Sequence, residues 1–342
     1  MTNMTRKIIH RHLENTSITT KTTCPTLTLI LGTSSSEPGL LSLQSSVRVT
    51  ITTTVIQLLV WPFIGINLFM FHVFRQREAL WSEPRYVLFT QTLLADVFFL
   101  ALTNFVVLTI HSRQLLPVAF CVPVCMVMDG LTHLSPTVIV AMCLERYVAI
   151  CMPLQHTNIF SPHRTRVVIA IVWFVSFLKP LVDFSIFLSH VTESYFIQPT
   201  FCSYEIMLLR TWHMVMRGNL YILNYLVVLV ILLFCYVSII VVARRASGDN
   251  KQAASKGQRT LLLHLLQLVL CTLETICPYI EAQILQTDNL FAYMVVRSFN
   301  FMAFSIVSRA VSPLIYGFRD EKFYAAIKNY ASRAVNEVAS VK

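Results

Sequence analysis

Seven long apolar runs leave this chain very few folds. They extend over Thr50–Phe74, Tyr86–Ile110, Val118–Cys151, Val167–Ser189, Asn219–Ala243, Thr260–Gln286 and Leu290–Phe318. About 20 predominantly apolar residues suffice to cross the hydrocarbon core of a bilayer as a helix. A chain of 342 residues could instead form two or three soluble domains. Composition argues against that: 55% of residues are hydrophobic and 13% charged, where a soluble domain carries about 25% charged residues. Lipid offers the backbone no hydrogen bonds, so the runs are predicted to be helices; the short alternating segments of a membrane barrel are absent. The formal net charge of +10 does not indicate nucleic-acid binding, because the basic residues are spread through the loops.

Charge sets the orientation. With the amino terminus outside, the short cytoplasmic loops hold ten basic residues: Arg75, Arg77, Arg85, Arg164, Arg166, Arg244, Arg245, Lys251, Lys256 and Arg259. The short external loops hold three, Arg113, Arg210 and Arg217. Positive loops stay in the cytoplasm, so this orientation is the expected one. Two glycosylation acceptors, Asn3-Met4-Thr5 and Asn15-Thr16-Ser17, fall in the outer tail and agree with it. Residues 1–49 form a Thr/Ser-rich tail without a cleavable signal sequence, 50–318 the transmembrane domain, and 319–342 a cytoplasmic tail. In that tail Phe318, Phe323, Ile327 and Tyr330 can meet lipid while Lys322, Lys328 and Arg333 meet anionic headgroups, which predicts a short amphipathic helix on the membrane. Of nine cysteines, most sit inside the runs as small apolar residues. Cys121, at the outer end of the third run, and Cys202, in the long external loop, both face an oxidising space and are predicted to pair.

The end of the third run reads Ala141-Met142-Cys143-Leu144-Glu145-Arg146-Tyr147-Val148-Ala149-Ile150-Cys151-Met152-Pro153-Leu154. It resembles the Met-Ala-x-(Asp/Glu)-Arg-Tyr-Val-Ala-Ile-Cys-x-Pro-Leu signature of odorant receptors, a branch of the rhodopsin-like G-protein-coupled receptors. Shorter matches follow in order: Asn67 and Asp96 for the polar pair of the first two spans, Trp173 in the fourth, Tyr236 in the fifth, and Ser312-Pro313-Leu314-Ile315-Tyr316 for Asn-Pro-x-x-Tyr. Pro84-Arg85-Tyr86, the loop from Arg244-Arg245 to Lys256, and the stretch from Arg309 to Asp320 are most similar to fish-type odorant receptors. The sequence departs from the wider class in three places. Thr275-Ile276-Cys277-Pro278 keeps the sixth-span proline without its tryptophan, Ser312 replaces an asparagine, and the fifth span has no proline.

The resemblance implies an all-α membrane protein, a seven-transmembrane helix bundle followed by the amphipathic helix, in the plasma membrane with its amino terminus extracellular. It implies a small-molecule odorant as ligand and a heterotrimeric G protein as partner, with no cofactor, no metal and no nucleic acid. Glu145, Arg146, Tyr147, Tyr236, Pro313 and Tyr316 would form the activation switch, the acid holding the arginine at rest. Asn67, Asp96, Ser135, Arg309 and Ser312 would form a polar network in the core. There Arg309 is expected to pair with Asp96 in the place that sodium takes elsewhere in the class. A buried arginine demands such a partner. The ligand is expected near Asp129, Tyr279, Glu281 and Arg297. Two acids there would favour a cation such as an amine. Lys179 and Asp183, four apart, are expected to satisfy each other.

Other classes fit less well. His10, His12 and His264 stand in no catalytic or metal spacing, which speaks against an enzyme. A transporter would explain charges in the membrane but would show repeats and broken helices. A rhodopsin-like receptor for a non-odorant ligand is the nearest alternative.

Overall fold

The structure is a computed structural model that describes residues 38–81, 83–207, 210–247 and 290–310, together with positions 269, 270, 273, 274, 276, 277, 281, 284, 313, 325, 327 and 328. Five helices are long and apolar enough to cross a membrane among the described residues. They lie in α1 (Pro38–Arg75), α2 (Pro84–His111), α3 (Val118–Cys151), α4 (Pro162–His190) and α5 (Thr211–Ser247). The sixth apolar run is described only at separate positions. The seventh begins as the helix Leu290–Asn300 and passes into a π-helical turn, Phe301–Ile306. The expected amphipathic helix after Tyr316 lies almost wholly outside the described residues; of its apolar side, Ile327 is half-buried against the main core.

Helix ends follow local chemistry. Pro84 opens α2 and Pro162 opens α4, at positions whose missing N–H is one of the unpaired amides of a first turn. Ser161 Oγ accepts from the Arg164 amide at 3.4 Å and caps α4. Three helices start five or more residues earlier than their apolar runs, α4 among them, at Pro162 ahead of the expected Val167. α1 begins at Pro38 although its membrane-length part starts at Thr50. α5 begins at Thr211, ahead of the expected Asn219. An apolar segment that has paid for helix nucleation propagates into polar neighbours at little further cost. In α5 this extension takes Arg217 out of the external loop, where charge counting had put it, and into the helix.

Ser45–Lys342 forms one compact unit, distinct from Met1–Gln44. Within it α3 is central, packing against α2, α4 and α5. Its Leu134, Val138 and Ile139 share a core with Leu88 and Leu93 of α2, Val172 of α4, and Leu232 and Cys235 of α5. α3 and α4 approach closely at Gly130, where an added Cβ would stand 2.6 Å from the Phe177 ring. Phe177 stacks on Trp173, whose indole N–H donates to Gln91 Oε1 of α2 at 3.0 Å. Small residues allow such approach between helices in lipid. At one end of α3, β1 (Leu116–Pro117) pairs antiparallel with β2 (Pro199–Thr200), and Cys121 is disulfide-bonded to Cys202, as the sequence predicted. Exposed apolar side chains such as Leu58, Ile171, Phe174, Val230, Phe234 and Val237 cover the outward faces of α1, α4 and α5. Contiguous surface of this kind suits lipid and not water.

Candidate functional site

Among the described residues, three polar clusters touch α3. The first lies at the disulfide end. Asp129 of α3 accepts from Arg217 Nη2 at 2.9 Å and from the Tyr221 hydroxyl, both on α5. Its second oxygen faces Lys179 Nζ of α4 at 3.6 Å. Asp183 of α4 meets Lys179 Nζ at 3.3 Å, Arg217 Nε at 3.6 Å and His213 Nε2 at 3.2 Å, and accepts from the Tyr204 hydroxyl at 2.8 Å. Burial holds the Tyr204 phenol above the ordinary tyrosine range, which keeps it a donor. The aromatic faces complete the cage: Lys179 Nζ stands 3.5 Å from the Tyr221 ring centroid and the Arg217 guanidinium 3.3 Å from that of Tyr204. Two carboxylates therefore face two basic side chains in a largely buried site.

This arrangement bears on the expectation that Asp129 lies near the ligand. The sequence suggested an acid open to a cationic ligand, but its charge is already met inside the protein by Arg217 and Lys179. The predicted Lys179–Asp183 pair forms, yet as one edge of this larger network.

The second cluster lies midway. Arg309 Nη1 reaches Glu274 Oε1 and Oε2 at 3.0 and 3.1 Å and donates to the Ser305 carbonyl at 2.7 Å. Nη2 donates to Thr132 Oγ1 of α3 at 3.4 Å, and the guanidinium lies 3.5 Å from the Phe99 ring centroid of α2. Arg309 Nε stands 3.9 Å from Asp96 Oδ1. The expected Asp96–Arg309 neighbourhood is present, but the hydrogen-bonded partner is Glu274, which sequence reading had not joined to Arg309. Asn67 donates to the Phe63 carbonyl at 2.8 Å. Among the described residues, Asn67 Oδ1, Asp96 Oδ2, Ser135 Oγ and Arg309 Nε are buried without a hydrogen-bond partner.

The third cluster lies at the other end of α3. Glu145 is buried and its Oε1 stands 3.0 Å from His156 Nε2, on the short helix Pro153–Ile159. Arg146 Nε is 3.9 Å from Glu145 Oε2, and the Arg146 side chain keeps 36% exposure. The sequence expectation made Arg146 the partner of Glu145; His156 is the nearer one. Tyr147 stacks near Phe234 of α5, ring centroids 5.4 Å apart. Leu154, on the same short helix, is 96% exposed.

Of the other predicted residues, Tyr236 is half-buried on α5 and Pro313 is buried. Glu281 accepts from the Asn300 amide at 3.0 Å, and Arg297 is half-buried on the Leu290–Asn300 helix. Tyr279, Ser312, Tyr316, Asn3 and Asn15 lie outside the described residues. Sequence reasoning missed Arg217, Tyr221, Tyr204, His213 and His156. One signal was present: Arg217 and Tyr221 are four apart, hence on one helical face.

The profile of the 7 transmembrane receptor (rhodopsin family) matches residues 66–316. The chain is 37% identical to Odorant receptor 131-2 of Danio rerio, over 81% of this chain and 84% of the relative. It is 24% identical to Olfactory receptor 4F6 of Homo sapiens, over 58% of this chain and 62% of the relative. It is 26% identical to a GQ-coupled rhodopsin of Mizuhopecten yessoensis, over 52% of this chain and 36% of the relative.

Proposed function

The chain belongs to the rhodopsin family of seven-transmembrane receptors, and on that premise we propose that it is an odorant-type G-protein-coupled receptor. It takes a small molecule between the helices at the disulfide end and activates a heterotrimeric G protein at the Glu145–Arg146 end. The kinship with the Danio rerio odorant receptor supports the ligand class. One structural observation carries the signalling role: the central helix α3 touches the buried ion network at one end and presents half-freed Arg146 at the other. A rigid rod joining two polar ends is a route by which occupancy at one is felt at the other.

The same reading completes the architecture. The sixth and seventh runs add two spans to the five long helices, and the chain from Tyr316 onward lies along the lipid headgroups as an amphipathic helix. The amino terminus, with Asn3 and Asn15 glycosylated, is extracellular, and the receptor resides in the plasma membrane. Arg146, Leu154, Tyr236, Pro313 and Tyr316 then belong to the cytoplasmic coupling face, where the exposed Leu154 gives a partner an apolar anchor. Tyr279, Glu281 and Arg297 stand closer to the ligand than Asp129 does. Because Asp129 and Asp183 are offset by Arg217 and Lys179, the ligand taken at this end is one without net positive charge.

The test is a functional screen. Cells expressing the receptor with an olfactory-type G protein are exposed to neutral, anionic and cationic water-soluble odorants while cyclic AMP is followed. Responses led by uncharged or anionic odorants support the reading. Responses confined to amines or peptides of internal origin overturn it.

A further inference from the structure

Arg309 stands between two carboxylates carried by two different parts of the chain. Glu274 holds Nη1 through both of its oxygens, at 3.0 and 3.1 Å. Asp96, on α2, faces Nε from 3.9 Å, too far for a hydrogen bond. Among the described residues, Arg309 Nε and Asp96 Oδ2 are both buried and both without a hydrogen-bond partner. Such unmet groups are costly in a solvent-free interior. The unmet Nε faces one Asp96 oxygen, Oδ1, from 3.9 Å, and the other, Oδ2, is itself unmet; together they mark a second place for the guanidinium. Two features let it move. The Phe99 ring, whose centroid is 3.5 Å from the guanidinium carbon, is a non-directional surface that lets the group slide. The π-helical turn Phe301–Ile306 lies immediately before Arg309, and its Ser305 carbonyl accepts from Nη1 at 2.7 Å. Turns of this kind inside helices occur frequently at functional sites and are places where helices kink.

We propose that Arg309 is a two-position switch, seated on Glu274 at rest and on Asp96 when the receptor signals. Seated on Glu274, it ties the sixth run to the seventh. Seated on Asp96, it releases the sixth run and satisfies both unmet atoms. Arg309 is a positioning residue, which acts through the segments it joins. The two carboxylates compete for one cation, so the balance between them sets the resting equilibrium. This inference rests on the receptor reading for its signalling consequence, but not for the competition itself.

The signalling test uses full-length receptor with Glu274→Gln and Asp96→Asn, each scored as ligand-independent G-protein activation per receptor at the cell surface. Glu274→Gln removes the resting position and is expected to raise basal activity, by roughly tenfold for the loss of one charge-assisted contact. Asp96→Asn removes the other position and is expected to lower both basal and maximal activity. A merely structural pair would shift both variants downward together, and that result, or two unchanged variants, overturns the proposal. Thermal unfolding of the purified chain tests the competition without ligand or G protein. Arg309→Gln should destabilise, and adding Glu274→Gln and Asp96→Asn should each restore part of the loss. If only one carboxylate restores stability, there is one position and no switch, whatever the screen for odorants has shown.

Discussion

Arg217 and Lys179 are the basic partners of Asp129 and Asp183 inside the bundle. Removing Arg217 leaves Asp129 with Lys179 at 3.6 Å and the Tyr221 hydroxyl, and deprives Asp183 of a partner at 3.6 Å. Breaking a buried pair on one side costs about 3–5 kcal/mol. Arg217→Gln is therefore expected to lower the thermal midpoint of the purified receptor sharply. Asp129→Asn in the same chain should recover part of the loss, because the stranded charge is then gone. If the two single losses simply add, Arg217 and Asp129 are not coupled. At the opposite end, His156 occupies the Glu145 oxygen at 3.0 Å and leaves Arg146 at 3.9 Å. With His156→Leu, Glu145 has only Arg146 to hold, and basal G-protein activation should fall. His156→Gln, which can still donate, should stay near the wild type; equal falls in both would mean that the ring packs and does not position the acid. Neither partnership was legible in the sequence. The hydropathy run of the fifth helix starts after Arg217, and the carboxylate that accepts it is 88 positions away. Glu145 and Arg146 are adjacent in the chain, whereas His156 stands eleven positions on, beyond the end of α3.

Between elements, the α3–α4 contact decides where these side chains can meet. Gly130 follows Asp129, and Phe177 precedes Lys179 by two, so the same approach that closes on Gly130 brings Lys179 Nζ within 3.6 Å of Asp129. A methyl at position 130 would stand 2.6–2.8 Å from three atoms of the Phe177 ring. That ring stacks on Trp173, which is itself tied to Gln91, so yielding disturbs α2 as well. Overpacking of this kind costs about 1–3 kcal/mol. Gly130→Ala should lower surface expression and thermal stability, and Phe177→Leu should restore part of both. A Gly130→Ala receptor as stable as the wild type would mean that the helices part freely there. The elements themselves were easier to read than their contacts. The third apolar run has the ends of α3, and the second nearly those of α2, because lipid-length apolarity is a property of the local sequence. The starts of α1 and α5 lie outside the uninterrupted apolar runs, in mixed sequence that hydropathy does not mark as a span.

For the whole molecule, the disulfide is the one covalent tie between the central helix and the long loop before α5. Cys121 and Cys202 are 81 positions apart, and all of α4 lies between them. Closing a loop of that length removes enough freedom from the unfolded chain to stabilise the fold by about 4 kcal/mol in the chain-entropy account. The tie also reaches the ion network, since Tyr204, two positions after Cys202, donates to Asp183 at 2.8 Å. Cys121→Ser, Cys202→Ser and the double substitution should therefore lower the thermal midpoint by the same amount, because each removes the same bond. A reducing agent should bring the wild type towards that midpoint and leave the three variants where they are. The ordering of losses along the chain is a sharper test. If the loop is held chiefly by the bond, reduction should weaken the Tyr204–Asp183 contact, and Tyr204→Phe should cost much less in the reduced receptor than in the oxidised one. If Tyr204→Phe costs the same in both, the β1–β2 pairing and the buried Ile206 and Met207 hold the loop without help from the disulfide, and the tie is a guard against unfolding and not a part that positions the site.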